Sequence, residues 1–371
     1  MRRVNYQQLK RILDVSLTTN TPTMIHGGIG IGKSSCVLDA ATSYAKKEGL
    51  RLVEYASLSK ALKLRLAKRE ITDISHSYFF IVIRAAGIDP TDIKGLPDMS
   101  DSFIQWKQDV TFSLCEREDF KGVIFFDELN QAPEMIQSSL YQVILEGIVD
   151  STKLSANCAR LAAGNRIEDK SGVYRLGSAL KSRMTHIELD PPTAKEYVSY
   201  AIGEGLHDSI VNFLSMYPDA MYINKGDGEN IVCSRTYNRL SKQLYVVTQE
   251  VRDDIVYSNL DTSTSSLFIG FLRNSSIVID TDVLYSDITK VSDLSLQKKV
   301  LFTTYLTNDY DSKSKRKMTI VTEVLEHLPP DLTFMLIKKL SKKHGAFMSA
   351  FRKTEIGKQW LIKNFSMLSE V

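Results

Sequence analysis

Between residues 27 and 35 the chain reads Gly27-Gly28-Ile29-Gly30-Ile31-Gly32-Lys33-Ser34-Ser35. Glycines at this density let the backbone turn without Cβ obstruction, so successive N–H groups can point at one oxyanion. Lys33 then brings a mobile ammonium suited to β- and γ-phosphate oxygens, and the Ser34 hydroxyl is a ligand type for Mg2+. The stretch fills every fixed position of G-x-x-x-x-G-K-[ST], the Walker A pattern for a nucleoside polyphosphate such as ATP.

A second candidate lies 94 positions after Lys33 (127 − 33), where Val123-Ile124-Phe125-Phe126 runs into Asp127-Glu128. Four apolar residues predict a buried strand, so the two acids emerge at its C-terminal edge, where open parallel sheets bind ligands. Asp127 suits the magnesium complex, directly or through water. Glu128 suits the general base that polarises the attacking water. A third element, Ala162-Ala163-Gly164-Asn165, is a small-residue strand ending in an amide. Asn165 there can hydrogen-bond the lytic water or the γ-phosphate.

These residues work only if strands and helices alternate around them. Thr23–His26 predicts a short strand entering the glycine loop, and Ser34 to Glu48 a helix leaving it. That order puts the phosphates at a helix N-terminus, where the macrodipole favours anions. Further strands are expected at Leu50–Tyr55, Tyr78–Ile83, Ala159–Ala163 and Ile187–Leu189. Helices are expected at Ser59–Arg69, Phe112–Arg117 and Met135–Glu146, the last with Ile136, Leu140, Val143 and Ile144 on one face. The Pro- and Gly-punctuated stretch from Asp89 to Asp98 reads as loop, and Tyr78, Phe103 and Trp106 as core aromatics. Apolar strands alternating with helices imply a parallel sheet covered on both faces. After Pro191-Pro192 the pattern turns helical, at Lys195–Gly203, Ser209–Met216, Arg235–Val251, Leu332–Leu340 and Lys358–Phe365.

Length and composition bound the rest. At 371 residues the chain suggests two or three domains, with the composition of a soluble globular protein. No stretch approaches the roughly 18 apolar residues that span a bilayer, and Met1-Arg2-Arg3 leads into no signal-peptide core. A cytoplasmic protein without a membrane partner is the expectation. Cys36, Cys115, Cys158 and Cys233 are widely separated and the six histidines form no H-E-x-x-H, which argues against zinc and a disulfide framework. Net charge is +3, yet from residue 290 onward fifteen Lys/Arg face eight Asp/Glu, densest at Lys313-Ser314-Lys315-Arg316-Lys317. Such a run reads first as a solvated loop and second as a contact for nucleic acid or an acidic partner.

Taken together the chain resembles an AAA+ ATPase, and within that group the MoxR-type proteins of bacterial and phage genomes. Besides the glycine loop, the likeness rests on Asp92-Ile93-Lys94-Gly95-Leu96-Pro97, Phe126-Asp127-Glu128-Leu129-Asn130-Gln131-Ala132-Pro133, Ala163-Gly164-Asn165-Arg166 and Ser178-Ala179-Leu180-Lys181-Ser182-Arg183-Met184. It covers residues from about 20 to 240. The resemblance implies an α/β class: a P-loop AAA+ core over 1–191 with insertions around 56–120, an all-α lid over 192–280, and a helical, basic C-terminal extension over 281–371. It implies a homo-oligomeric ring, typically a hexamer, with ATP at subunit interfaces. Asn165 then matches sensor 1, and Arg183 the arginine finger that reaches a neighbour's γ-phosphate. Arg235 matches the sensor 2 arginine, although Ser234 stands where the family commonly has proline.

The function implied is Mg2+-dependent ATP hydrolysis by a ring that remodels a partner protein, often one with a von Willebrand A domain. This chain has no D-x-S-x-S metal motif of its own, so the partner would be separate. The alternative is a nucleic-acid-associated ATPase motor using the basic C-terminal region. A sequence pI of 8.4 falls short of a strong nucleic-acid footprint, which lies above about 9.

Overall fold

The computed structural model describes all residues except 99–104, 151, 167–171, 225–229, 275–280, 312–313 and 365–371. It divides into two compact units, Met1–Pro191 and Pro192–Val371.

In the first unit the strands are β1 (Arg2–Val4), β2 (Thr23–Gly27), β3 (Arg51–Glu54), β4 (Ser77–Arg84), β5 (Leu96–Asp98), β6 (Gln105–Lys107), β7 (Gly122–Asp127), β8 (Ile148–Val149), β9 (Thr152–Lys153), β10 (Cys158–Gly164) and β11 (Thr185–Leu189). The helices are α1 (Tyr6–Thr19), α2 (Lys33–Lys47), α3 (Lys60–Ala67), α4 (Pro90–Lys94), α5 (Val110–Cys115), α6 (Glu134–Glu146) and α7 (Ser178–Arg183). Seven strands form one sheet in the order β1-β11-β2-β10-β7-β4-β3, every neighbouring pair parallel. Parallel neighbours need crossovers, and the intervening helices cover the sheet.

Side chains alternate across the pleat, which is why the central strands are apolar on both faces. Met24, Phe79, Ile81, Ile124, Phe126 and Ala162 share one core with Ile136, Leu140, Val143 and Ile144 of α6. Ile25, Val123, Phe125 and Leu161 are equally buried and alternate with them, on the side where α1 and α2 lie. The register sets Phe125 against Leu161 and Gly164 against His26, so β2, β7 and β10 end together at one edge.

Several elements depart from the pattern read in the sequence. Arg2–Val4 and Tyr6–Thr19, not anticipated, supply an edge strand and a covering helix, the helix opened by a capping box between Asn5 and Gln8. The expected loop at Asp89–Asp98 contains α4, with proline at its first position and Asp89 as cap, followed by β5. Proline suits the first helical turn because it has no N–H to leave unpaired. Gly95 then turns at φ 87°, bringing its Cα so close to the Lys107 carbonyl that an added Cβ would lie 2.3 Å from that oxygen. β5 and β6 form an antiparallel hairpin in which Trp106 opposes Pro97 and is 41% exposed, not a core residue. Tyr78 is buried, and Phe103 lies outside the described residues.

The second unit is helical: α8 (Ala194–Glu204), α9 (Asp208–Met216), α10 (Ser234–Leu244), α11 (Arg252–Asn259), α12 (Thr262–Asn274), α13 (Thr281–Ser286), α14 (Leu296–Asp309), α15 (Lys315–Val324), α16 (Pro330–Lys343), α17 (Phe347–Phe351) and α18 (Glu355–Lys363). The single helix expected over Arg235–Val251 stops at Leu244, where Val246, Val247 and Thr248 bring a β-branched run that loses rotamer freedom in a helix. Two apolar cores lie side by side, one around Phe213, Tyr237 and Phe268, the other around Phe302, Leu336 and Phe347. Lys339 of α16 bridges them, donating to Asp208 and to Thr304 at 3.2 Å each. Among the described residues no helix is long and apolar enough to cross a membrane.

Candidate active site

The loop after β2 owes its shape to close packing and to glycine. Gly30 and Gly32 adopt φ of 70° and 95°, where a side chain would be strained. A Cβ on Gly27 would meet Ile31 Cδ1 at 2.7 Å and the Leu189 carbonyl oxygen at 3.0 Å, so the loop folds onto its own buried isoleucine. Gly32 is the N-cap of α2 and offers no side-chain acceptor, which leaves the first N–H groups of the helix open to an anion.

Lys33 and Ser34 reach the other strand ends. Lys33 Nζ donates to the carbonyls of Gly27 and Gly28 at 2.9 and 2.8 Å, and to Asn165 Oδ1 at 2.9 Å. Ser34 Oγ donates to Asp127 Oδ2 at 2.7 Å, and Asp127 Oδ1 accepts from the Glu128 N–H at 3.0 Å. Residues from the ends of β2, β7 and β10 thus converge, as the sequence reading required. A hydroxyl against a single carboxylate is a hard-oxygen donor pair that fits Mg2+ completed by water and phosphate oxygens. No group of three or more His, Cys, Asp or Glu able to hold a metal occurs among the described residues.

Glu128 is exposed and sits at φ 58°, ψ 31°, the left-handed region. A glutamate gains nothing locally there and is strained by about 1–2 kcal/mol. The strain turns the chain sharply between β7 and the following buried Leu129 and Asn130.

Asn130, quoted in the sequence only as part of a motif, holds the third arm of the site. Its Nδ2 donates to the Asn165 carbonyl at 2.7 Å and its Oδ1 accepts from the Asn165 N–H at 3.1 Å. Gly164 makes room: a Cβ there would lie 2.0 Å from Asn130 Oδ1. The Asn130 carbonyl accepts from the Tyr174 N–H at 2.7 Å, tying in the segment before α7. A clue was available in sequence, since an amide two residues after paired acids and an invitingly small Gly164 are both visible there.

Arg183 does not join this network. Arg183 ends α7, exposed, with its guanidinium 5.4 Å from the centre of the Tyr141 ring of α6. Arg235 is exposed in the first turn of α10, within the second unit. Ser35 follows Ser34 on the exposed side of the first turn of α2. Of the basic run near 315, Arg316 is exposed, whereas Lys317 pairs with Asp309 at 3.0 Å, and Lys313 lies outside the described residues.

No protein-family model matches the chain, and no curated protein does. Solved structures similar to it include NtrX from Brucella abortus in complex with ADP, at 14% identity and a TM-score of 0.39 over 97% of this chain and 67% of that one. They also include the ORC2 protein of Aeropyrum pernix in its ADPNP–ADP complexes, at 14% identity and a TM-score of 0.38 over 91% and 93%. Likenesses this distant leave the site's own geometry as the ground for function.

Proposed function

We propose that the chain is a Mg2+-dependent ATPase of the AAA+ kind, and one observation carries the reading. The Walker A lysine reaches Asn165 while the adjacent serine reaches Asp127, so a phosphate seated in the loop is flanked by both at once. Loop N–H groups and Lys33 bind the β- and γ-phosphates, and Ser34 with Asp127 would hold the metal. When bound, Mg2+ supplies charge neutralisation on the phosphate oxygens. Glu128 takes a proton from water, and Asn165 orients that water or the γ-phosphate.

The finer reading is a MoxR-type homo-oligomeric ring, hexameric by resemblance, whose helical lid (192–280) and extension (281–371) pass motion to a partner protein. Arg183 completes the neighbouring subunit's site and Arg235 acts as sensor 2. The exposure of Arg183 supports a role outside its own subunit. A von Willebrand A domain protein is the partner class suggested by the resemblance.

Purified protein should hydrolyse ATP, and Glu128→Gln should remove turnover while nucleotide still binds. Turnover unchanged in that variant would sink the assignment of the base. Mixed Arg183→Ala and Lys33→Ala subunits should regain activity if the finger acts in trans. DNA-stimulated turnover with a steep salt dependence would favour the nucleic-acid motor instead.

A further inference from the structure

Just before the phosphate loop, His26 of β2 stacks on His186 of β11, ring centres 5.3 Å apart. His26 Nε2 and His186 Nδ1 are 3.0 Å apart, and His186 Nε2 lies 2.9 Å from the Lys181 carbonyl oxygen in α7. A carbonyl can only accept, so His186 carries its proton on Nε2 and accepts at Nδ1. His26 must then donate from its own Nε2. With both rings neutral the chain of bonds runs in this one direction.

We propose that His186 and His26 are positioning residues that tie the phosphate loop to the finger helix. The proposal rests on the reading of Arg183 as the residue that completes a neighbour's site. Lys33 grips the Gly27 carbonyl, His26 directly precedes Gly27, and the histidine pair ends on a carbonyl two residues before Arg183. Lys181 lies in the last turn of a six-residue helix, where carbonyls lack partners within the helix. His186 satisfies one of them and so fixes the end of α7 to the sheet. A displacement of the loop by bound nucleotide therefore reaches Arg183 through three hydrogen bonds and no flexible segment.

Burial, helped by the neighbouring lysines, keeps the pair neutral. Burial lowers the pKa of both rings, and Lys33 and Lys181 oppose a charge on His26. Glu188, which faces His26, favours that charge but is itself held by Arg3 and Arg166 at 3.4 Å each. One added proton reverses the bond between the rings, His186 Nδ1 then donating to His26 Nε2; a second sets donor against donor and breaks the link.

The test compares the full-length wild type with His186→Gln and His186→Leu. Glutamine keeps a donor and an acceptor on one planar group but does not titrate. The leucine variant should lose about tenfold in kcat, the worth of one ordering hydrogen bond, with ATP affinity changed by less than about twofold. The glutamine variant should stay near wild type and lose the fall in kcat expected of the wild type well below pH 6.5, where both rings take a proton. Ring nitrogen NMR shifts should place the His186 proton on Nε2 at neutral pH, and amide exchange in α7 should quicken in the leucine variant. A leucine variant as fast as wild type, a proton on Nδ1, or unchanged α7 exchange each overturns the relay. If the wild type itself does not hydrolyse ATP, the function proposed above fails. The NMR and exchange results then still decide whether the relay exists.

Discussion

The side-chain amide of Asn130 clasps the backbone of Asn165 at both ends, accepting from its N–H at 3.1 Å and donating to its C=O at 2.7 Å. The clasp leaves the Asn165 side chain free to meet Lys33, so Asn130 aims a side chain that it does not itself replace. Asn130 is buried, and its loss strands two backbone groups. Asn130→Leu should cost about 2–4 kcal/mol in urea unfolding and depress kcat more than ATP affinity. An equal loss in both constants would assign Asn130 to binding.

Gly164→Ala probes the same clasp from the other side. The new methyl would collide with Asn130 Oδ1, and with Met24 Cε at 2.7 Å. Backbone and core must both shift, at about 1–3 kcal/mol. Wild-type stability and turnover in this variant would show that the clasp is slack.

Glu128 pays for its place in backbone strain. Glu128→Gly should abolish hydrolysis yet raise stability by about 0.5–1 kcal/mol, since relief of the left-handed strain exceeds the added chain entropy. Thermal unfolding and a single-turnover assay read the two effects separately. A drop in melting temperature would mean that Glu128 makes stabilising contacts in solution.

Arg117 is a buried cation serving a structural end. Its guanidinium pairs with Asp119 at 2.7 and 2.8 Å and donates to the carbonyls of Leu66, Ile71 and Thr72. It therefore pins the segment that follows α3. Arg117→Met should destabilise by about 3 kcal/mol, because Asp119 and three carbonyls lose their partner. Lysine at this position should rescue only part, having no planar fork. A denaturant midpoint unchanged in Arg117→Met would refute this role.

His26 predicts the acid side of the stability curve. Burial, then His186, lowers its pKa from 6.5 to about 4. The unfolded chain binds the proton first, so this contribution is present in full above pH 6.5 and is lost as the pH falls toward 4. His26→Phe should flatten that slope while keeping the stack. An identical slope in the variant would remove His26 as its source.

Much of the site was legible because its chemistry is local. Four glycines before Lys33-Ser34, and two acids after four apolar residues, carry their meaning in adjacent positions. The parallel sheet followed from the same alternation of apolar strands and helices. Less legible were Tyr6–Thr19, whose leucines are spaced among polar residues, and the hairpin that exposes Trp106. An aromatic's burial depends on what covers it, which composition does not specify.

By itself the sequence determined where a phosphate-binding loop is expected, since a glycine turn, an ammonium and a hydroxyl act through neighbouring positions. Tertiary structure decided how those residues are held. Lys33 meets Asn165 across 132 positions and His26 meets His186 across 160, in each case because β2 lies between β10 and β11. Strand order in a parallel sheet is set by the crossovers and cores of the whole unit, so no local pattern contains it.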